Sequence, residues 1–282
     1  MGATPRSVIM NADDFGQSVG INRGVIVAHE HGIVTSASLM VRWPAAAAAA
    51  AYARAHPELS LGIHVDLGEW VHRDDTWTPL YTVVPMDDER AVAAEVRRQL
   101  ATFRRLVGKD PTHLDSHQHV HLREPARAPM IDVARELGVP LRRVSAGVRH
   151  CGDFYGQTET GTPFPEGISL ARLLGILRAL PPGVTELSCH PGEGDDLTTM
   201  YRAERATEVR VLCDPDLRAA MAAAGIALCS FSDVAPSAAA LPGTPKPDED
   251  EPAPWLEPVA PTEPAQAGAG PAAGGLEGRR PR

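Results

Sequence analysis

The chain has 282 residues, 43% of them hydrophobic and 22% charged, with Lys+Arg 27 against Asp+Glu 36 and a formal net charge of −9. That hydrophobic share suffices for a core, so the chain is not wholly disordered, and an acidic surface repels phosphate backbones, which speaks against general nucleic-acid binding. No apolar run reaches the ~18 residues of a membrane span. The opening residues carry no secretory apolar stretch, and Cys151, Cys189, Cys213 and Cys229 form no CxxC pair, so a cytoplasmic protein with reduced thiols is expected.

In chain order, Ser7–Asn11 reads as a first strand, followed by a helix over Val19–His31 that Gly32 ends. Thr35–Val41 is a second strand, and a helix over Ala45–Ala55 begins behind Pro44. A third strand, Leu59–Val65, leads into a long polar loop over Asp66–Met86 and a helix over Glu89–Leu106. Thr112–His117 is the fourth strand with helix Pro125–Leu137 behind it, and Leu141–Val144 the fifth. After helix Ile168–Leu180 come a sixth strand, Val184–His190, helices over Arg202–Leu212 and Pro215–Ala224, and a seventh strand, Ile226–Ser230. Strand-then-helix alternation implies parallel strands with crossover helices, and seven strands in this length suit an α/β fold of the irregular (β/α) barrel kind. Residues 236–282 hold 11 of the 26 prolines and an acidic cluster, Asp248–Glu251, with little apolar periodicity. They read as a disordered Pro/Ala/Gly-rich acidic tail behind a folded unit of residues 1–235.

Groups able to bind metal or move protons recur at the ends of strands, the edge on which α/β barrels build their sites. The first strand runs into Asn11-Ala12-Asp13-Asp14-Phe15-Gly16, and the third ends in His64 and Asp66. The fourth runs into Asp115-Ser116-His117-Gln118-His119-Val120-His121, and the sixth into Cys189-His190-Pro191-Gly192. Two imidazoles and a carboxylate from three strands are a recurrent setting for a catalytic divalent ion. If the His-rich run stays extended, Asp115, His117, His119 and His121 share one side. Each motif also has a plainer reading. Asp13-Asp14 would serve as a helix N-cap pair, His64 as a hydrogen-bonded core histidine, the His run as an exposed turn, and His190-Pro191-Gly192 as a strand entering a turn. His29, His31, His56, His72 and His150 are taken as surface residues.

These motifs, with Gly20-Ile21-Asn22-Arg23-Gly24 and Gly32-Ile33-Val34-Thr35-Ser36-Ala37-Ser38, make residues 6–235 resemble the YdjC-like carbohydrate deacetylase family, which includes chitooligosaccharide and hopanoid-biosynthesis-associated deacetylases. The resemblance implies a barrel laid out like the polysaccharide deacetylases and hydrolysis of an N-acetyl group on a sugar. It implies Asp14, His64 and His117 as ligands of one divalent ion, most often Mg²⁺ in the family, with Zn²⁺, Mn²⁺ or Co²⁺ suited to the same donors. It also implies Asp13 as the general base, His190 as general acid or oxyanion stabiliser, and Asp115, His119 and His121 as supports of the metal site. Trp70 and Tyr155 are candidates for shaping the sugar cleft. The partner expected is an N-acetylated saccharide or glycolipid, with no nucleic acid and no membrane span, and a homodimer is left open. Two competing readings stand beside this one: a metal-dependent hydrolase of another amide, ester or phosphoester, and a carbohydrate-binding protein without turnover. The absence of a GxxxxGK[ST] loop weakens a nucleotide-phosphohydrolase role.

Overall fold

The computed structural model describes residues 5–193, 196–234 and Leu241. All but one residue of the expected tail lies outside the described residues. The elements run β1 (Arg6–Phe15), α1 (Val19–Glu30), β2 (Ser36–Leu39), α2 (Ala46–Ala55), β3 (Ser60–Val65), β4 (Gly68–Arg73), β5 (Thr76–Thr82) and α3 (Glu89–Val107). They continue with β6 (Leu114–Ser116), α4 (Arg127–Leu137), β7 (Arg149–Cys151), α5 (Leu170–Ala179), β8 (Gly183–Cys189), α6 (Ala203–Leu212), α7 (Asp216–Ala223) and β9 (Ile226–Cys229).

Seven strands form one parallel sheet in the order β6-β3-β2-β1-β8-β7, with β9 added beside β1. The sheet branches at β1. Its residues Arg6–Ile9 pair with β9, its later residues Asn11–Phe15 pair with β2, and Arg6–Ala12 pair with β8 on the other edge. Parallel strands buried on both faces account for the fully buried patterns of β2 and β3 and for the near-continuous burial of β1. Helices cover the outside, and the strands' inward side chains fill a partial barrel. Among the described residues no helix is long and apolar enough to cross a membrane.

Three expectations are corrected. Residues 66–86 are not a loop, because they hold the antiparallel hairpin β4–β5. Its two-residue turn, Asp74-Asp75, has both residues in the left-handed region (φ 49° and 59°), the conformation such turns require, without the Gly or Asn that would signal it in sequence. The expected fifth strand reduces to one parallel bridge, Leu114 with Leu141, and the chain then turns away. An unforeseen strand, β7, pairs with β8 instead and puts His150 on the sheet rather than on the surface. Leu141 lies at one edge of the sheet and β7 at the other, so the residues between them cross the open side of the barrel and carry Arg142 into it.

Candidate active site

β1 delivers two adjacent carboxylates to one place, which an ordinary strand cannot do because successive side chains point to opposite faces. The register of β1 against β2 shifts between Ala12 and Phe15, and Asp14 sits in the left-handed region (φ 64°). This bulge turns the side chain of Asp14 back toward the end of the barrel that Asp13 already faces. The pair does not cap α1, since the cap is Ser18, whose hydroxyl accepts from Ile21 N at 3.0 Å.

Around Asp14 the donors converge. Asp14 Oδ1 stands 3.3 Å from His64 Nε2 and 3.1 Å from His117 Nδ1, and all three residues are buried or nearly so. Donors at about 2.1 Å from one ion lie roughly 3.0–3.4 Å apart, so this spacing fits a single divalent cation held by one oxygen and two nitrogens. His64 is set for this by Asp115, whose carboxylate accepts from Nδ1 at 2.7 Å and so leaves the lone pair of Nε2 facing Asp14. Burial alone would lower the pKa of His64, but Asp115 and Asp14 raise it to about 9. The other oxygen of Asp14 accepts from Arg205 on α6 at 2.7 Å. Burial opposes ionisation of Asp14, yet Arg205 and the two imidazoles hold its carboxyl well below the usual carboxylate range.

A second cluster of acid and imidazole groups, Asp13, His64 and Asp115, is close enough to hold an ion. The guanidinium of Arg142 already supplies positive charge there. It binds Asp13 through both oxygens (2.7 and 2.7 Å), Asp115 at 2.7 Å and Glu186 at 2.6 Å, with its side chain wholly buried. Asn11 adds a donor to Asp13 Oδ1 at 2.9 Å. Burial would raise the pKa of Asp13, but Arg142 outweighs it and keeps the carboxylate ionised and fixed in orientation. Glu186, the third acid on Arg142, is pushed up to about 7 by burial.

His190 follows β8. Its Nε2 lies 3.8 Å from Asp13 Oδ2, its backbone N–H donates to Glu208 at 2.5 Å, and its ring meets Tyr155 and Tyr201 at centroid distances of 5.4 and 5.2 Å. Burial lowers its pKa to about 4, so the imidazole is neutral at pH 7. The loop after it packs on α1 with no room for a side chain. A Cβ on Gly24 would sit 2.3 Å from Gly192 Cα, and one on Gly20 would sit 2.1 Å from the carbonyl oxygen of Glu193. The GINRG and HPG segments are thus two halves of one contact, and that contact sets where His190 stands.

The profile of the family described as YdjC-like protein matches residues 7–223 of this chain, the span that supplies every group named above. The chain belongs to the YdjC-like family. Relatives include a carbohydrate deacetylase of Geobacillus stearothermophilus, 34% identical over 81% of this chain and 98% of its own length. A chitooligosaccharide deacetylase of Serratia marcescens is 35% identical over 80% of this chain and 98% of its own length. The fold matches that of a candidate cellobiose-phosphate cleavage protein from Enterococcus faecalis V583, with a TM-score of 0.64 at 23% identity over 81% of this chain and 98% of that one. A mutant of a CE4 family pseudoenzyme overlays with a TM-score of 0.50 at 9% identity over 83% of this chain and 68% of that one.

Within this YdjC-like chain, Asp13, Asp14, His64, Asp115, His117 and His190 come together at one end of the barrel. The extended course expected for residues 117–121 is not observed. The chain turns there through a 3-10 segment in which Gln118 and His119 are both left-handed (φ 48° and 55°), at a cost on the order of 1–2 kcal/mol each. His119 and His121 therefore leave the side that His117 faces. His121 bonds Ser116 Oγ at 2.5 Å and the Arg142 carbonyl at 3.0 Å, so it holds the segment that carries Arg142. His119 rests edge-on against His150, 5.3 Å between centroids. Tyr155 lines the site, stacked on Tyr201 at 4.5 Å. Trp70 is only 6% exposed, with its ring lying over Gly68 in the core. Sequence reading missed Arg142, Arg205, Glu69 and Glu208. Each is a charged residue on a helix, turn or short strand, which ordinarily reads as surface.

Proposed function

We propose that the chain is a divalent-metal-dependent hydrolase that removes the acetyl group from an N-acetylated sugar, acting in the cytoplasm. The observation that carries this is the convergence of Asp14 Oδ1, His64 Nε2 and His117 Nδ1 at ligand-to-ligand spacing beside a second, arginine-held carboxylate. The names of the relatives support the substrate class. A cation bound there would polarise the acetamide carbonyl and acidify the attacking water. Asp13, fixed by Arg142 and ionised, accepts a proton from that water. Its basicity is weakened by the guanidinium, so it suits a water that is already acidic. His190 is neutral in the resting site and 3.8 Å from Asp13, placed to receive that proton and return it to the departing amine. Tyr155 and Tyr201 wall the side of His190 where the sugar would lie. The balanced outcome is acetate and a free amino sugar.

The test is acetate release from N-acetylated mono-, di- and trisaccharides and from acetylated glycolipid head groups, with and without EDTA. Release from a sugar that EDTA abolishes and a divalent metal restores is expected. Tight sugar binding with no acetate under any metal would overturn the enzymatic reading in favour of a binding protein. Metal analysis of protein purified without a His-tag identifies the ion, for which Mg²⁺, Zn²⁺, Mn²⁺ and Co²⁺ are the candidates.

A further inference from the structure

The hairpin β4–β5 is fastened to the metal-site turn through Gln118. Gln118 accepts from Trp70 N at 2.8 Å and donates to Trp70 O at 2.9 Å, so its side chain takes the part of a neighbouring strand. The residue beside Trp70 in β4 is Glu69, 4% exposed. One Glu69 oxygen accepts from Thr199 Oγ1 at 2.6 Å, and the other stands 3.8 Å from His117 Nε2. That nitrogen is buried and has no hydrogen-bond partner, while the other nitrogen of the same ring faces Asp14 at 3.1 Å.

A cation on Nδ1 requires the ring proton on Nε2, and a ligating imidazole usually donates that proton to a carboxylate or carbonyl. Among the described residues, Glu69 is the carboxylate facing Nε2. We propose that Glu69 is a positioning residue for His117, accepting the Nε2 proton so that the Nδ1 lone pair points at the cation, and that Gln118 is the clamp that sets the hairpin at this distance. The inference rests on the reading that Asp14, His64 and His117 hold a divalent ion. It completes a symmetry in which Asp115 backs His64 at Nδ1 and Glu69 backs His117 at Nε2, so the two rings offer opposite nitrogens. Glu69 is not itself a ligand, because it lies at the edge of the ring turned away from Asp14. It also explains why two left-handed residues are tolerated at 118 and 119. In that turn the amide of Gln118 meets the backbone of Trp70 while His117 stays on Asp14.

The experiment is a Co²⁺ titration of metal-free full-length protein, followed by the visible absorption of the bound ion, for the wild type, Glu69→Ala, Glu69→Gln and Gln118→Ala. Glu69→Ala should weaken Co²⁺ binding by about 10–100-fold and shift the absorption band. Glu69→Gln keeps an acceptor but loses the charge and should fall between, and Gln118→Ala should show a smaller loss. A merely structural role would lower thermal stability and leave the band where it is. Affinity within about twofold of wild type and an unchanged band in the Glu69 variants would overturn the proposal. Glu69→Gln is near-isosteric and carries the test if Glu69→Ala does not fold. If the wild type takes up no Co²⁺, the metal reading itself fails and this proposal falls with it.

Discussion

Two buried clusters share strand β1 and do opposite things with it. In one, Ile9, Val148 and Phe231 form an apolar cluster, and His113 lies flat on Phe231 with centroids 3.7 Å apart. In the other, Asp13, two alternations further along β1, meets Arg142, which also binds Asp115 on β6 and Glu186 on β8, while His64 on β3 meets Asp115. His113 and His64 are equally buried, yet burial lowers His113 to about 3, whereas the carboxylates facing His64 raise it to about 9. Depth alone therefore does not decide the charge of a buried imidazole. The partner on the next strand does.

The largest effects should separate the two clusters by activity. Asp14→Ala and His117→Ala should lose both bound metal and acetate release, whereas Asp13→Asn should lose about 10²–10⁴ in turnover and keep its metal. Metal content and turnover measured together check this, and equal metal loss in all three variants would break the division of roles. Next come two glycines. Gly62→Ala would place a methyl 2.4 Å from the ring of His113, which is pinned against Phe231, and should cost about 1–3 kcal/mol in urea unfolding with metal affinity unchanged. Gly24→Ala should instead displace the loop behind His190, so turnover falls while metal content holds.

The last effect is on pH dependence. The folded-state pKa of His113 lies below its unfolded value near 6.5, so its contribution to stability is present above pH 6.5 and lost as pH falls toward 3. In metal-free protein the His64 contribution runs the other way, full below pH 6.5 and lost as pH rises through about 9. His113→Phe should flatten the acid side of a stability–pH curve by up to about one proton, roughly 1.4 kcal/mol per pH unit, and leave the alkaline side alone.

The parallel sheet was legible because buried strands and amphipathic helices alternate at their own periods, and so were the site motifs, because chemistry-bearing residues crowd strand ends. The hairpin was not, since its turn is Asp-Asp and β5 carries Pro79. The course of residues 117–121 was misread because period two predicts one shared side, and nothing in DSHQHVH announces two left-handed residues. Arg142 and Glu69 were invisible for a different reason: a charged residue in a turn or short strand is ordinarily solvated.

What the amino-acid order settled by itself is the α/β class, the crowding of acids and imidazoles at four strand ends, and the membership of a family. What folding alone decided is which nitrogen of each histidine faces Asp14, that a bulge turns Asp13 and Asp14 to one end of the barrel, and that Arg142 and Glu69 are buried against them. Periodicity and composition are properties of neighbours along the chain. Ligand geometry and charge pairing depend on groups as far apart as Asp14 and Arg205, brought to 2.7 Å only when the sheet and helices pack.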